Sequence, residues 1–485
     1  MNKIKIFQKW FVIVVASFLI ASCSTNAGQK NKEEPVKPKN IIVFVSDGMG
    51  FNHLEATNFY TYGEEKAQVF QENDWVNFAM ATYPSVISFS NGDTIFSTGY
   101  NPRQASQDAG YLTKDYTDSG AAGTALSTGK KTYNGAIGIG VKGDTLMHMS
   151  YAAKALGKST GVVSSVPLSH ATPASFVAHN HQRNNYAEIA RFMFFHSNID
   201  VIMATGNPDF NDDGQMQEND PRYVGGREVW EMLKANDNRT VFETSDGTFR
   251  VQDANGNGQP DPWTLVQTRE EFRNLASGTT PTRVLGVPQV YSTLQQGRKK
   301  AEDHTLPFQT PFNENVATLE EMSKAALNVL SQNPEGFFVM IEGGAVDWAS
   351  HNNDSARMIE EQTDFNNAVN AAVEWVENNS SWDETLIIVT SDHECGYLTG
   401  PGEADPIFGK VTNNGKGELP DMAWHFGSHT NVLVPFYAKG PGAEHFKLMA
   451  RETDPVYGPF IQNTDMATLV FLLWGKPEME VFKLN

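Results

Sequence analysis

Apolar residues along this chain follow two rhythms. Largely unbroken apolar runs at residues 41–45, 161–166, 199–204, 337–341, 385–390 and 432–438 read as strands. A strand with one wet face alternates polar with apolar, so continuous runs predict strands covered on both faces. Between them, residues 144–156, 186–196, 320–330, 354–377 and 465–474 repeat apolar positions every three or four residues. That is the period of a helix with one buried side. Strands and helices alternate in order, which predicts an α/β fold: a large, mainly parallel β-sheet flanked by helices on both faces. Residues 206–312 lack strong periodicity and read as a less regular excursion with short hairpins.

Polar residues with metal-ligand chemistry recur where apolar strands end. Asp47 follows the first run, Glu342 stops the 337–341 run, and Asp392 and His393 follow the 385–390 run. Open α/β sheets place ligand sites at the carboxyl ends of parallel strands. Asp347 and His351 are four residues apart, so a helix there puts both side chains on one face. With His429 these make four carboxylates and three imidazoles, enough for two or three divalent ions. Packed together without cations they would carry a severe desolvation cost. Ser119, in T-D-S-G-A-A-G-T-A, is the candidate nucleophile. The small residues after it let backbone approach an oxyanion, and a helix starting there aims its N–H groups outward. Asp118 or Ser119 would also cap that helix.

Acids outnumber bases, 57 to 37, for a net charge of −20. This argues against nucleic-acid binding, and an anionic substrate would need local positive charge. Bound metals would supply it. Lys3, Lys5 and Lys9 precede a short apolar run from Trp10 to Ile20 that ends in I-A-S-C. This stretch resembles a bacterial lipoprotein signal. Residues 1–22 are then a signal peptide, Cys23 the lipidated membrane anchor, and 23–39 a flexible tether. The expected location is the bacterial cell envelope, in the periplasm or on the outer membrane, after export. Cys395, the other cysteine, is expected as a buried free thiol close to Asp392 and His393. In residues 253–261, Asp253, Asn255, Asn257 and Asp261 alternate like calcium ligands but lack a closing Glu, and Asx-rich turns are the expectation.

The motifs together resemble the alkaline phosphatase family over residues 40–485. F-V-S-D-G-M-G carries Asp47, which the resemblance makes the ligand bridging two metals. D-S-G-A-A-G-T-A carries Ser119, the residue phosphorylated in the family. S-H-A-T-P-A-S-F-V-A-H-N-H-Q-R carries Thr172 at a magnesium site and Arg183 on the phosphate. E-G-G-A-V-D-W-A-S-H carries Glu342 at the magnesium site and Asp347 and His351 at a first zinc. S-D-H-E supplies Asp392 and His393 to a second zinc, and H-F-G-S-H-T supplies His429 to the first. The resemblance implies two Zn2+, one Mg2+, phosphate monoester substrates, a phosphoserine intermediate and a possible homodimer. His170 and Trp348 occupy positions that vary in the family near the magnesium and phosphate, and are expected to contact substrate. His179 and His181 are expected to be structural, and His425 is left open. A phosphodiesterase or a substrate-restricted phosphatase of the same metal superfamily is the alternative.

Overall fold

Strand β1, Asn40–Ser46, is buried at every position. Ile41, Val43 and Val45 pack into one hydrophobic core, Ile42 and Phe44 into another, so the strand serves both faces of a sheet. The computed structural model describes residues 37–475 apart from 91, 303 and 403–407. The expected signal peptide, Cys23 and most of the tether lie outside the described residues.

The further strands of this sheet are β2 (Val76–Ala81), β3 (Ser159–Pro167), β4 (Val201–Thr205), β5 (Thr264–Val266), β6 (Val284–Gly286), β7 (Phe337–Gly343), β8 (Thr385–Thr390), β9 (Val434–Lys439), β10 (Glu452–Asp454) and β11 (Gly458–Gln462). They lie side by side in the order β10-β11-β2-β9-β8-β1-β7-β3-β4-β6-β5. Only β9 and β10 run against the rest. The sheet is therefore mainly parallel, as the unbroken apolar runs predict.

Helices cover both faces. They are α1 (Phe51–Tyr62), α2 (Ser119–Thr128), α3 (Met149–Lys154), α4 (Ala171–Ser175), α5 (Tyr186–Phe195), α6 (Arg269–Ser277), α7 (Leu319–Leu330), α8 (Ala345–His351), α9 (Ser355–Asn379) and α10 (Asn463–Leu473). Leu126 of α2, Ile189 of α5 and Val470 of α10 enter the core that holds Ile41. Phe272 of α6, Leu327 of α7 and Val369 of α9 enter the core that holds Ile42. The start of α7 has a reciprocal cap: Thr318 accepts from Glu321 N, and Glu321 from Thr318 N.

Two details differ from the periodic reading. The expected helix at 144–156 shortens to α3, because Leu146 N donates to Gly138 O and His148 becomes the N-cap. The 206–312 stretch contains a hairpin, Val241–Thr244 with Gly247–Arg250, and also gives the main sheet β5 and β6. Its acidic turn at residues 253–261 is closed by its own carboxylates. Asp253 Oδ1 accepts from Gly256 N and Asn257 N and Oδ2 from Gly258 N, while Asp261 accepts from Ala254 N and Asn255 N. Asp261 Oδ1 accepts from the Asn255 side-chain amide at 2.7 Å, so the two carboxylates are taken up within the turn, as expected of Asx-rich turns joining elements.

Candidate active site

Four neighbouring strands, β3, β7, β1 and β8, bring their carboxyl ends together. Register pairs Ser164 with Glu342, Val45 with Glu342, and Val45 with Thr390. Glu342, Asp47 and Asp392 therefore emerge side by side, although Asp47 comes far earlier in the chain than the other two. Thr172 joins them from α4, just beyond β3. Gly48 makes the crowding possible. Its φ is +82°, and a Cβ there would lie 2.8 Å from the Asp347 Cα.

Asp47, Asp392 and Glu342 share one pattern. Thr172 Oγ1 donates to Asp47 Oδ2 at 3.3 Å, and Ser164 Oγ donates to Glu342 Oε2 at 2.5 Å. His393 N and Gly48 N donate to Asp392 Oδ1 at 2.9 and 3.3 Å. In each carboxylate the other oxygen (Asp47 Oδ1, Glu342 Oε1, Asp392 Oδ2) is buried and has no hydrogen-bond partner among the described residues. Burial, reinforced by neighbouring carboxylates, pushes Asp47 up to about 7 and Glu342 up to about 8, and raises Asp392 well above its usual range. Bare protein thus strains to ionise these groups, and a divalent cation would remove that strain.

The second cluster is Asp347, His351 and His429. Asp347 and His351 do sit one turn apart on α8, with Asp347 Oδ2 3.3 Å from His351 Nε2; His429 Nε2 lies 3.3 Å from Asp347 Oδ1. His351 Nδ1 donates to Gly427 O and His429 Nδ1 to Thr117 O, each at 2.9 Å. A carbonyl only accepts, so both Nδ1 atoms carry protons and both Nε2 atoms face inward. Those two Nε2 atoms are 3.1 Å apart. Two lone pairs beside a carboxylate need a cation between them, and backbone anchoring of the far nitrogen is the usual support for a metal-binding imidazole. Burial opposes protonation of His351, yet Asp347 carries it up to about 9, so a proton takes the place when no metal does.

The ligating atoms of Asp347, His351, Cys395 and His429 form one group within 4.8 Å, and those of Asp47, Asp392 and His393 a second. The rings of His393 and His429 stack at 3.5 Å between centroids, so the groups adjoin. Cys395 is buried and free as expected, and its Sγ groups with Asp347, His351 and His429. It follows β8 by several residues, and its Sγ reaches back to Asp347 O at 3.8 Å. Burial and the Asp347 charge raise its thiol well above the usual value. The thiol therefore stays protonated.

Ser119 opens α2 and is buried. Its Oγ lies 3.3 Å from His393 Nε2, which is itself 3.2 Å from Asp392 Oδ2 and 3.5 Å from Asp47 Oδ1. Asp118 caps the helix by accepting from Ala121 N at 2.9 Å. Asp118 also accepts from Arg183 Nη1 at 2.9 Å, and Arg183 N donates to Gly135 O. The guanidinium is thereby aimed by the residue just before Ser119. From sequence Asp118 is expected only as a helix cap. Its second partner is 65 residues away and leaves no local signal.

His170 and Trp348 meet, ring centroids 5.4 Å apart, and the other face of His170 stacks on Tyr186 at 5.9 Å. Burial and then Arg183 lower His170 to about 3, so its ring is neutral. His179 Nε2 pairs with Leu146 O, His181 Nδ1 with Tyr133 OH, and His425 Nε2 with Thr399 Oγ1. None of the three belongs to either ligand group.

The family model for alkaline phosphatase matches residues 38–434. The chain is similar to alkaline phosphatase 4 of Bacillus subtilis, at 26% identity over 97% of this chain and 98% of that protein. It is similar to the alkaline phosphatase of Escherichia coli K12 at 27% identity, covering 86% of this chain and 84% of that one. The solved alkaline phosphatase of the Antarctic bacterium TAB5 shares the fold, with a TM-score of 0.59 at 22% identity over 91% of this chain and 100% of that one. The chain belongs to the alkaline phosphatase family, metal-dependent hydrolases of phosphate monoesters.

Proposed function

We propose that Ser119 is the nucleophile of this phosphatase and passes through a phosphoserine. Asp347, His351 and His429 would hold one zinc, Asp392 and His393 with Asp47 a second, and Thr172 and Glu342 with Asp47 a magnesium. A magnesium-loaded site in a solved TAB5 alkaline phosphatase variant is consistent with the third ion. Bound there, the ions supply positive charge for the transferring group and lower the cost of ionising a serine hydroxyl and a leaving alkoxide.

The chain's own groups do the rest. Ser119 Oγ gives up its proton and bonds to phosphorus as the bond from phosphorus to the ester oxygen breaks, and that oxygen takes up a proton and leaves as the alcohol. Arg183 holds two non-bridging oxygens with its planar fork, which a lysine does not offer. Water then attacks phosphorus, the Oγ–P bond breaks, and inorganic phosphate leaves. The observation that carries this reading is the place of Ser119 Oγ, 3.3 Å from the ring nitrogen that faces Asp392 and Asp47. Acid-quenched protein incubated with labelled phosphate should carry label at Ser119. A Ser119→Ala variant that still takes up label overturns the assignment. Turnover of bis(nitrophenyl) phosphate in preference to nitrophenyl phosphate would favour the phosphodiesterase alternative.

Export and lipid anchoring through Cys23 are also proposed, from the I-A-S-C stretch. Cys23→Ser should move the protein from membranes to the soluble fraction. Family likeness supports a homodimer, to be read by sedimentation.

A further inference from the structure

A ledge of rings starts at Trp348, next to Asp347 in the chain. Trp348 meets His170, His170 stacks on Tyr186, and Tyr186 meets Tyr223 at 5.0 Å. Across this ledge lies Arg222, its guanidinium carbon 5.4 Å from the Tyr186 ring and 4.8 Å from the Tyr223 ring. Arg222 Nη2 donates to Tyr223 OH at 3.1 Å. The short turn Pro221–Val224 that carries both residues is fixed to the site, because Ser169 Oγ, next to His170, donates to Tyr223 O at 3.2 Å. Tyr291 braces the far end, packed on Tyr223 at 5.4 Å.

Nothing in the chemistry set out above uses Arg222. Its side chain is half exposed, and its carboxylate neighbour, Asp220, is 4.0 Å away and more exposed still. An exposed ion pair at that distance contributes little and yields readily to a better anion. Cation–ring contacts hold the guanidinium in place, which reduces the ordering cost of forming further hydrogen bonds. In a chain of net charge −20, a multiply charged substrate is repelled unless a local cation receives it.

We infer that Arg222, laid on Tyr186 and Tyr223, is a specificity-determining residue that receives a second anionic group, a phosphate or carboxylate, on the leaving group of the substrate. The inference rests on the phosphomonoesterase reading and names its preferred substrates: esters with a second anion some bonds from the scissile phosphate. The partly exposed rings of Trp348, His170 and Tyr186 give the intervening carbon skeleton a surface to lie on.

Fructose 1,6-bisphosphate and fructose 6-phosphate share a skeleton and differ by the second phosphate. Initial phosphate release from each, as kcat/KM, gives a preference ratio. In Arg222→Ala that ratio should fall about three- to tenfold, the size of one partly exposed charge-assisted contact. Arg222→Lys should recover at least half of the loss, and added salt should reduce the preference of the wild-type protein more than that of Arg222→Ala. An unchanged ratio in Arg222→Ala, or a lysine variant no better than the alanine one, overturns the inference while leaving the phosphatase reading in place. A wild-type protein that releases phosphate from neither sugar, nor from nitrophenyl phosphate, sinks both.

Discussion

Arg183 Nη1 donates to Asp118 Oδ2 at 2.9 Å, and the same carboxylate caps the helix that Ser119 opens. One acid thus sets the relative position of the Arg183 guanidinium and Ser119, the groups proposed to grip phosphate and to attack it. Asp118→Ala should weaken inhibition by inorganic phosphate about ten- to a hundredfold, the scale of a lost hydrogen bond between charged groups. Asp118→Asn keeps a cap but loses the charge, and should fall between. Inhibition unchanged in both variants would mean Arg183 holds its place unaided.

Ser119→Ala should cut turnover by on the order of three powers of ten or more while leaving bound metal unchanged by elemental analysis. Covalent catalysis goes, whereas the ligands remain. Near-normal turnover would remove Ser119 from the nucleophile's role.

Arg183→Ala should raise KM for small monoesters and weaken phosphate inhibition. Arg183→Lys should rescue only a part, since an ammonium cannot span two oxygens. Full rescue by lysine would show that charge alone matters.

Chelation should abolish activity and lower the melting temperature by several degrees, about 2.7 kcal/mol being the stabilisation at a hundredfold excess over Kd. The unpartnered oxygens of Asp47, Glu342 and Asp392 are the reason. Zinc with magnesium should restore both. A melting temperature indifferent to chelator would contradict the buried-ligand geometry.

Glu361 provides a pH test away from the site. Burial, then the charges of Asp364 and Glu360, push its carboxyl from 4.5 up to about 8, against the pull of Arg298 and Arg357. The folded state holds this proton more tightly than the unfolded one. Its contribution is therefore full below about pH 4.5 and is lost as pH rises through about 8. Denaturant titrations should show Glu361→Gln losing less stability than the parent between pH 5 and 9. Equal losses would place the penalty elsewhere.

Much of this arrangement was legible from residue order, for a physical reason. A strand covered on both faces must be apolar until it ends, so Asp47, Glu342 and Asp392 announce the strand tips by interrupting the runs. Adjacency of β3, β7, β1 and β8 then follows from parallel pairing. Other parts carry no such mark. Helix α1 buries His53, Thr57 and Asn58, which blurs its period, and β5 and β6 are three residues each. Asp118 looks like an ordinary cap, and Arg222 sits in a turn without periodicity. Both acquire partners only when distant segments meet.

The ledge proposed to meet the outer part of a substrate belongs in part to the stretch between β4 and β5, while the candidate ligand groups and Ser119 belong to the central strands and their helices. Changes of length or composition in that stretch could alter which molecules are accepted without disturbing the bond-breaking apparatus. Appetite and reactivity would then be inherited separately within one chain.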